Sequence, residues 1–578
     1  MKKVLLILQC VISGIAVAQT YSVKLFKDIN LNGNSYPNDF IILNDKLYFN
    51  ANDGINGEEI WVSDGTSDGT KLLKNIYTGG NSNVSFFTEY NGNLYFIAVD
   101  NINGSEIWIS DGTSAGTKMI KNINPSGNSE PVFLTIYNGK IYFRANDGTN
   151  GDELWVTDGT SAGTQLVKNI YTGGDSKIGT PFLYNGKMYF KANNGTNGYE
   201  LWVSDGTSAG TKMIKDINPT SHSSPSNFTI YNGKLYFSAD DGTNGNELWV
   251  TDGTTSGTVL IKNINPLANQ SSDPYNLWVF NGSLFFKATD NTNGTELWKT
   301  DGTSVGTQMV KNINPGSSSS PNLLFEKNGK LYFSADDGTN GSELWVTDGT
   351  GAGTLMLKNI NPSGSSFISN VLKKDDLFYF IADNGTNSVE LWVTDGTSSE
   401  TKMLKDINPS GASNPTLLTL FNDVIVFKAI DGTNGQELWI TDGTNEGTKK
   451  FAPDIAPIAS PLKNTYNFFL FKNQIYFNAV YGSEGNELFK LSKTSLEANK
   501  KDISKINIYP NPAENNLCVS GLSGNYSLKI TDMAGKIIFT DNSNYPTLNI
   551  NLPEYKSGVY ILQIVSDTGV FTKKILLK

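Results

Sequence analysis

Between Asn227 and Ile264 the chain alternates short runs rich in β-branched and aromatic residues with turns rich in Gly, Asn and Asp. The first run ends at Tyr231 and is followed by Asn232-Gly233, then by Lys234 to Ala239 with alternating bulk. Asn-Gly between two such runs predicts a tight hairpin with both central residues at positive φ. After Asp241-Gly242-Thr243-Asn244-Gly245 comes Glu247 to Thr251, then Asp252 to Gly257, then Thr258 to Ile264. The stretch reads as four short antiparallel strands with no helical period and no room for a crossover helix. In the third strand Leu248, Trp249 and Val250 are consecutively apolar, whereas a strand with one wet face should alternate. Both faces of the sheet are therefore expected to be covered.

This pattern returns along nearly the whole chain. Its tryptophans stand at 61, 108, 155, 202, 249, 298, 345, 392 and 439, every step being 47 residues except the 49 after Trp249. A degraded tenth copy reads Asn486-Glu487-Leu488-Phe489-Lys490. A fixed period of this length, four strands to the unit, predicts the blades of a β-propeller. Nine units have all four strands; the tenth lacks its fourth, and Val23 to Ile29 is a fourth strand without a unit. The fold class predicted is all-β: a large propeller of about ten four-stranded units over residues 19–491, closed by pairing of residues 23–29 with the last unit. An open solenoid and two five-unit rings are the competing arrangements.

Past Phe489 the texture changes. Residues 492–505 are polar and read as a linker, and 506–578 hold short alternating strands sufficient for a small C-terminal β-sandwich. At the other end, Lys2-Lys3, an apolar run from Val4 to Val17 and Ala16-Val17-Ala18 before Gln19 fit a signal peptide over residues 1–18. That run is short for a bilayer span, so no transmembrane segment is expected in the mature form.

The tail resembles the type A C-terminal sorting domain of the type IX secretion system of Bacteroidetes. The resemblance rests on Tyr509-Pro510-Asn511-Pro512, Asp532-Met533-Ala534-Gly535-Lys536, Gly558-Val559-Tyr560-Ile561-Leu562 and Lys573-Lys574-Ile575-Leu576. It implies type IX secretion machinery as a partner of residues 506–578, and a protein secreted or attached to the outer cell surface. The repeats resemble those of exported bacterial proteins with the consensus Glu-Leu-Trp-x-x-Asp-Gly-Thr-x-x-Gly-Thr. Unit eight departs from it at Ser399-Glu400-Thr401 and unit ten lacks Asp-Gly-Thr. That resemblance implies a propeller and almost nothing about biochemistry.

Net charge of −11 makes nucleic acid an unexpected partner. Two cysteines, Cys10 and Cys518, cannot staple a chain of 578 residues, so stability must come from packing. One Glu per unit precedes each motif aromatic by two residues. Ten equivalent copies give no asymmetric acid and base pair, and a structural, hydrogen-bonded role is expected. A Lys recurs in the fourth strand (Lys27, Lys74, Lys121, Lys168, Lys215, Lys262, Lys311, Lys358, Lys405). On an exposed edge it would deter pairing with another molecule; a basic belt for anionic ligands is the alternative.

Asp241, Asn244 and Glu247 are oxygen-rich and fit either a plain turn or weak calcium ligands, lacking the full spacing of an established loop. No other cofactor is implied. The residues that break the repeat are Arg144, the only arginine; Tyr199; His222, the only histidine; and Trp278, outside the motif in the first strand of unit six. They are the candidate ligand contacts. No catalytic residue stands out. The reading is a secreted or surface-exposed binding or adhesion module for a glycan or surface protein. A polysaccharide hydrolase or lyase and a structural coat protein are the rivals.

Overall fold

The computed structural model describes residues 20–578 apart from 434, 452–461, 463, 481–484, 495–505, 515, 523–525, 534–535, 553–554 and 567–568. The expected signal peptide and most of the linker lie outside the described residues. Every regular element among those described is a β-strand, and no helix is long and apolar enough to cross a membrane. The chain divides into two compact units, Lys24–Lys490 and one built on Leu491–Lys578.

The larger unit holds ten four-stranded antiparallel sheets, nine of them made of four strands consecutive in sequence. Blade five is typical: Ser226–Tyr231, Lys234–Asp240, Asn246–Thr251 and Val259–Lys262, in that order across the sheet. First strands of neighbouring blades approach one another, as Ser226–Tyr231 does to Tyr275–Phe280 and Asn38–Leu43 to Ser85–Tyr90, which places them on the inner side of the ring.

The unbroken apolar run of the third strand has the cause its pattern predicts. Leu235, Phe237, Ala239 and Trp249 pack against Leu201 and Val203 of blade four. The alternate residues Tyr236, Leu248 and Val250 pack against Leu284, Phe286 and Trp298 of blade six. Each blade thus keeps the two-residue period but buries both faces. The nine motif tryptophans are only 5–7% exposed. With roughly 200 Å² covered at ~25 cal/mol/Å², each contributes at most about 5 kcal/mol.

Blade ten is closed by the N-terminal strand. Its order is Thr20–Lys27, Asn486–Thr494, Gln474–Val480, Phe469–Phe471, so the first strand of the chain completes the last sheet as the fourth strand. Phe26, Tyr476 and Leu488 of this blade pack on Leu47, Phe49 and Trp61 of blade one. On the other side, Leu462, in the segment leading into blade ten, donates its amide to Gln436 O of blade nine at 3.2 Å. The ring closes through the same kind of interface that joins every other pair.

The smaller unit has two sheets, one of three strands and one of four, around a core that includes Leu517, Val519, Leu528, Ile530, Leu562 and Ile575. Asn511 ties its two ends: its Nδ2 donates to Lys574 O at 3.1 Å and its Oδ1 accepts the Leu576 amide at 2.9 Å. Two of the separated sequence motifs of the tail are therefore parts of one clasp.

Candidate functional site

The recurrent carboxylate is used to hold blades together. Glu247 is fully buried. It accepts the amides of Ile264 (3.1 Å) and Asn265 (3.3 Å), which follow the fourth strand of its own blade, and Ser272 Oγ (2.6 Å), which lies ahead of the next. Burial outweighs these donors and pushes its carboxyl up to about 7. The same set recurs at Glu106, with Ile123, Asn124 and Ser129. Glu487 meets Ile29 and Ser35 across the closure. Where blade ten joins blade one, therefore, residues from the two ends of the chain reproduce an ordinary inter-blade junction.

The fourth-strand lysines do not stand on a bare edge. Lys215 Nζ donates to Thr258 O of the next blade at 2.9 Å and lies 5.6 Å from the centre of the Trp249 ring. Lys121, Lys262 and Lys311 make the same two contacts with the following blade. Lys27 reaches Ser67 O across the closure. The expectation of an edge guard is corrected: the next blade's turn overhangs each lysine, which becomes a clasp.

Two turns complete the frame. Asp252 Oδ1 accepts the Thr254 amide (2.9 Å) and hydroxyl (2.7 Å), and Thr251 and Thr258 hydroxyls meet at 2.7 Å. Gly253 has φ +92°, and a Cβ there would sit 2.5 Å from Tyr189 Oη of the preceding blade, so the position suits only glycine. In the other turn Asp241 accepts the amides of Thr243 (2.9 Å) and Asn244 (2.7 Å) and the Asn244 side-chain amide (2.7 Å), while Asn244 Oδ1 accepts Asn263 Nδ2 (2.6 Å). The oxygens of Asp241, Asn244 and Glu247 thus face N–H or O–H donors. That is a self-closed turn with a separately engaged Glu, and it does not aim three ligands at one cation. Among the described residues no three His, Cys, Asp or Glu side chains gather as metal ligands.

Of the repeat-breaking residues, Trp278 stands apart. It is half-buried and packs against the core between blades six and seven, opposite Phe285 in the sheet, so most of the ring serves packing. The other three lie on the face that carries the Asp-Gly-Thr-Asn-Gly turns and the loops between blades, Arg144 where blade three meets blade four, and Tyr199 and His222 one junction on, where blade four leads into blade five. Arg144, on the second strand of blade three (Lys140–Asn146), points its Nη1 at Ile178 O (3.5 Å). Its Nε lies 3.7 Å from Asp152 Oδ2, and the guanidinium sits 5.3 Å from the Phe133 ring centre.

Tyr199 and His222 have ring centres 5.0 Å apart. His222 Nδ1 accepts the Tyr199 amide at 3.0 Å, the task that Asn128, Asp175 and Ser271 perform with their side chains in other blades. The neutral ring therefore carries its proton on Nε2. His222 supports the loop while its exposed edge remains at the surface.

Sequence reading missed Lys191, which stands beside Tyr199 and His222, and Lys177, which is in the loop between blades three and four. Lys191, on the second strand of blade four (Lys187–Asn193), has Nζ 5.9 Å from the Tyr199 ring centre. Its carbonyl accepts the Gly179 amide at 3.0 Å. Lys177 precedes Ile178 and is exposed. The available signal was Lys177-Ile178-Gly179, where six other units have Pro in the place of Ile178.

On the opposite face, at the hairpin ends of blades six to eight, a hollow of about 510 Å³ is lined by Val279, Glu326, Lys327, Lys373 and Asp376 among others. Lys327 donates to Asp376 O, and the hollow holds none of the repeat-breaking residues singled out above.

Residues 507–578 match the family model of the secretion system C-terminal sorting domain. The tail is a type IX sorting domain. It marks the protein for export to the cell surface or the medium. Comparison with curated protein sequences finds no match. Among solved structures the chain is similar to PorZ, described as an essential surface component of the type IX secretion system of Porphyromonas gingivalis. Identity is 12% and the TM-score 0.28, over 94% of this chain and 86% of that one. It is also similar to a puromycin-hydrolysing peptidase of Mycobacterium tuberculosis, with 11% identity and a TM-score of 0.31 over 62% of this chain and 59% of that one.

Proposed function

We propose that the protein is an exported binding module: a rigid ten-blade propeller whose loop face engages a glycan, delivered by its sorting domain and released or held at the surface once that domain is removed. The repeats fit the exported Glu-Leu-Trp-x-x-Asp-Gly-Thr family in this role. The observation that carries the reading is a division of labour within the unit. The recurrent Glu, Lys and Asp side chains are engaged in joining blades and closing turns. The only arginine stands on the loop face where blades three and four meet, and the only histidine, with Tyr199, stands on the same face at the next junction, where blade four leads into blade five.

An enzyme of the hydrolase or lyase kind would need two carboxylates in one cleft with different environments. The buried Glu series offers one environment repeated. The test is a glycan array probed with the purified exported protein, with and without EDTA. Retention of a defined set of glycans without their cleavage is expected. Cleavage of a retained polysaccharide, lost on changing one loop-face carboxylate while the protein stays folded, would replace this reading by the enzymatic one.

A further inference from the structure

We infer that the hollow at the hairpin ends of blades six to eight is a second binding site, for a short zwitterionic peptide whose ammonium meets Glu326 and whose carboxylate meets Lys373. It lies on the face opposite the proposed glycan surface and stands independently of that reading.

The hollow coincides with a departure from the repeat that sequence reading passed over. The first strand of each blade, on the inner side of the ring, ends in two residues that follow a rule. The first of them is apolar and 39–47% exposed in seven blades, as at Ile230 and Leu420. The second is apolar or aromatic in eight. Blades seven and eight, which adjoin through these strands (Asn322–Lys327 and Ser369–Lys374), have Glu326-Lys327 and Lys373-Lys374 at the same places in the register.

The frame does not ask for these charges. Seven blades leave an apolar side chain half exposed at the first place, so the sheet forms without one. At the second, Tyr231 buries its ring and donates its hydroxyl to Gly282 O of the next hairpin at 2.6 Å, as Tyr184 does to Gly233 O. Lys327 keeps the bond, donating to Asp376 O of blade eight, but gives up the buried ring and its contribution to stability. A slim chain in place of a ring leaves room beside it. About 510 Å³ lies open among Val279, Phe280, Glu326, Lys327, Lys373 and Asp376, the size of a small-molecule site.

Two of the charges are unused. Among the described residues neither Glu326 nor Lys373 forms an ion pair, with the other or with any third group. Glu89, at the same place in blade two, instead turns back to accept the Gly92 amide of its own hairpin at 3.4 Å. Lys373 Nζ lies 5.9 Å from the Phe378 ring centre, which holds the chain over the hollow and leaves its N–H donors for a ligand. A carboxylate and an ammonium that share a hollow but stand beyond the ~4 Å of an ion pair suit a molecule that carries both charges and spans the gap. The lining sets two carboxylates, Glu326 and Asp376, against two lysines, so it favours neither a plain anion nor a plain cation. Val279 and Phe280 add an apolar wall for a peptide's side chain. A neutral sugar would leave both charges without partners.

The experiment is calorimetric titration of the purified exported protein with alanyl-leucine and leucyl-alanine, and with the N-acetyl, C-amide and doubly blocked forms of each. A free dipeptide should bind, and blocking one end should weaken it about fivefold, near the upper value for one exposed ion pair. E326I and K373L, built from residues that other blades have at this place, should keep the melting temperature. In E326I the preference for the free over the N-acetyl form should fall to about twofold or less, and in K373L the preference over the amide should fall likewise. A merely structural role would weaken all forms together.

Failure of both free dipeptides to bind at about 10 mM would overturn the inference. Equal binding of the doubly blocked forms would do the same by showing that charge plays no part, a result the parent protein gives even where a variant fails to fold. Unchanged preferences in both folded variants would put the site elsewhere and overturn it too. Glycan binding at the loop face, or its failure, bears on the other reading alone.

Discussion

Replacing Glu247 by Gln tests the account of the buried carboxylates at one atom. Burial raises this carboxyl from 4.5 to about 7. Between those values the unfolded chain has released the proton and the folded chain still holds it, so stability falls as pH rises and levels off above 7. Two of those pH units lie between 5 and 7. At about 1.4 kcal/mol per unit, Glu247 costs the fold roughly 3 kcal/mol between pH 5 and pH 8. Gln does not titrate and escapes that cost.

At pH 5 the exchange is nearly even. Glu247 Oε2 accepts Ile264 N and Ser272 Oγ, and Oε1 accepts Asn265 N. A protonated Glu and a Gln each keep one full acceptor for the first pair and bring a donor toward the Asn265 amide. If the roughly 470 residues of Lys24–Lys490 melt together at ~2.1 cal/mol/K per residue, the unfolding entropy is about 1 kcal/mol/K and the effect about 3 °C. The assay is differential scanning calorimetry of both proteins at pH 5 and pH 8. E247Q should melt within about 1 °C of the parent at pH 5 and about 3 °C above it at pH 8. A variant that melts below the parent at pH 8 by more than at pH 5 would show that the three donors win over burial, and would refute the reasoning.

Lys215→Met removes a charged hydrogen bond and a cation over Trp249, and should cost about 1–2 kcal/mol with no change in self-association; an unchanged melting point with new aggregation would restore the edge-guard explanation. The parent protein should be most stable at mildly acidic pH. Glu153, Glu247, Glu343, Glu437 and Glu487, all pushed up to about 7, lose stability as pH rises through 4.5 to 7. The turn aspartates such as Asp111 and Asp252, held low by their Thr partners, lose theirs as pH falls below 3.8; a melting temperature that climbs from pH 5 to pH 8 would contradict this. Cysteines at Leu25 and Phe489, the places that correspond to Leu260 and Trp249 paired in blade five, should form a disulfide in the folded protein with Cys518 replaced. Failure there and at neighbouring positions would argue against the closing strand.

The sequence shows most of the frame because the frame is local. Hairpins, the two-residue period and the doubly buried third strand are written within some 40 residues, and the unpaired strand at Val23 to Ile29 needs only counting. What escapes is set by residues brought together from different units. Lys215 stands in an outer strand, as its position suggests, but the turn that covers it begins some 40 residues later. Glu247 shows its repetition in the sequence, whereas its partners 17 and 25 residues on depend on how the chain crosses to the next blade. Arg144, Tyr199 and His222 were visible as departures from the repeat. Their places became visible only in the fold, which sets Arg144 against the loop entering blade four and Lys191 beside Tyr199 and His222 at the next junction.

Closure differs from the other junctions in chain length alone. Glu487 finds its donors 452 to 458 residues away, against 17 to 25 for Glu247. By the logarithmic law for loop closure the longer connection costs only about 2.5 kcal/mol more. The hydrogen bonds at Ile29 and Ser35 and the burial of Phe26 among Leu47, Phe49 and Trp61 are of a size to offset it. Nine blades can form from neighbours in sequence, whereas the tenth must wait for both ends of the propeller. Stability in such arrays is set by units and their nearest interfaces, so the shared blade removes the two exposed faces that an open row would leave. The closing strand thereby turns a row of local units into a ring.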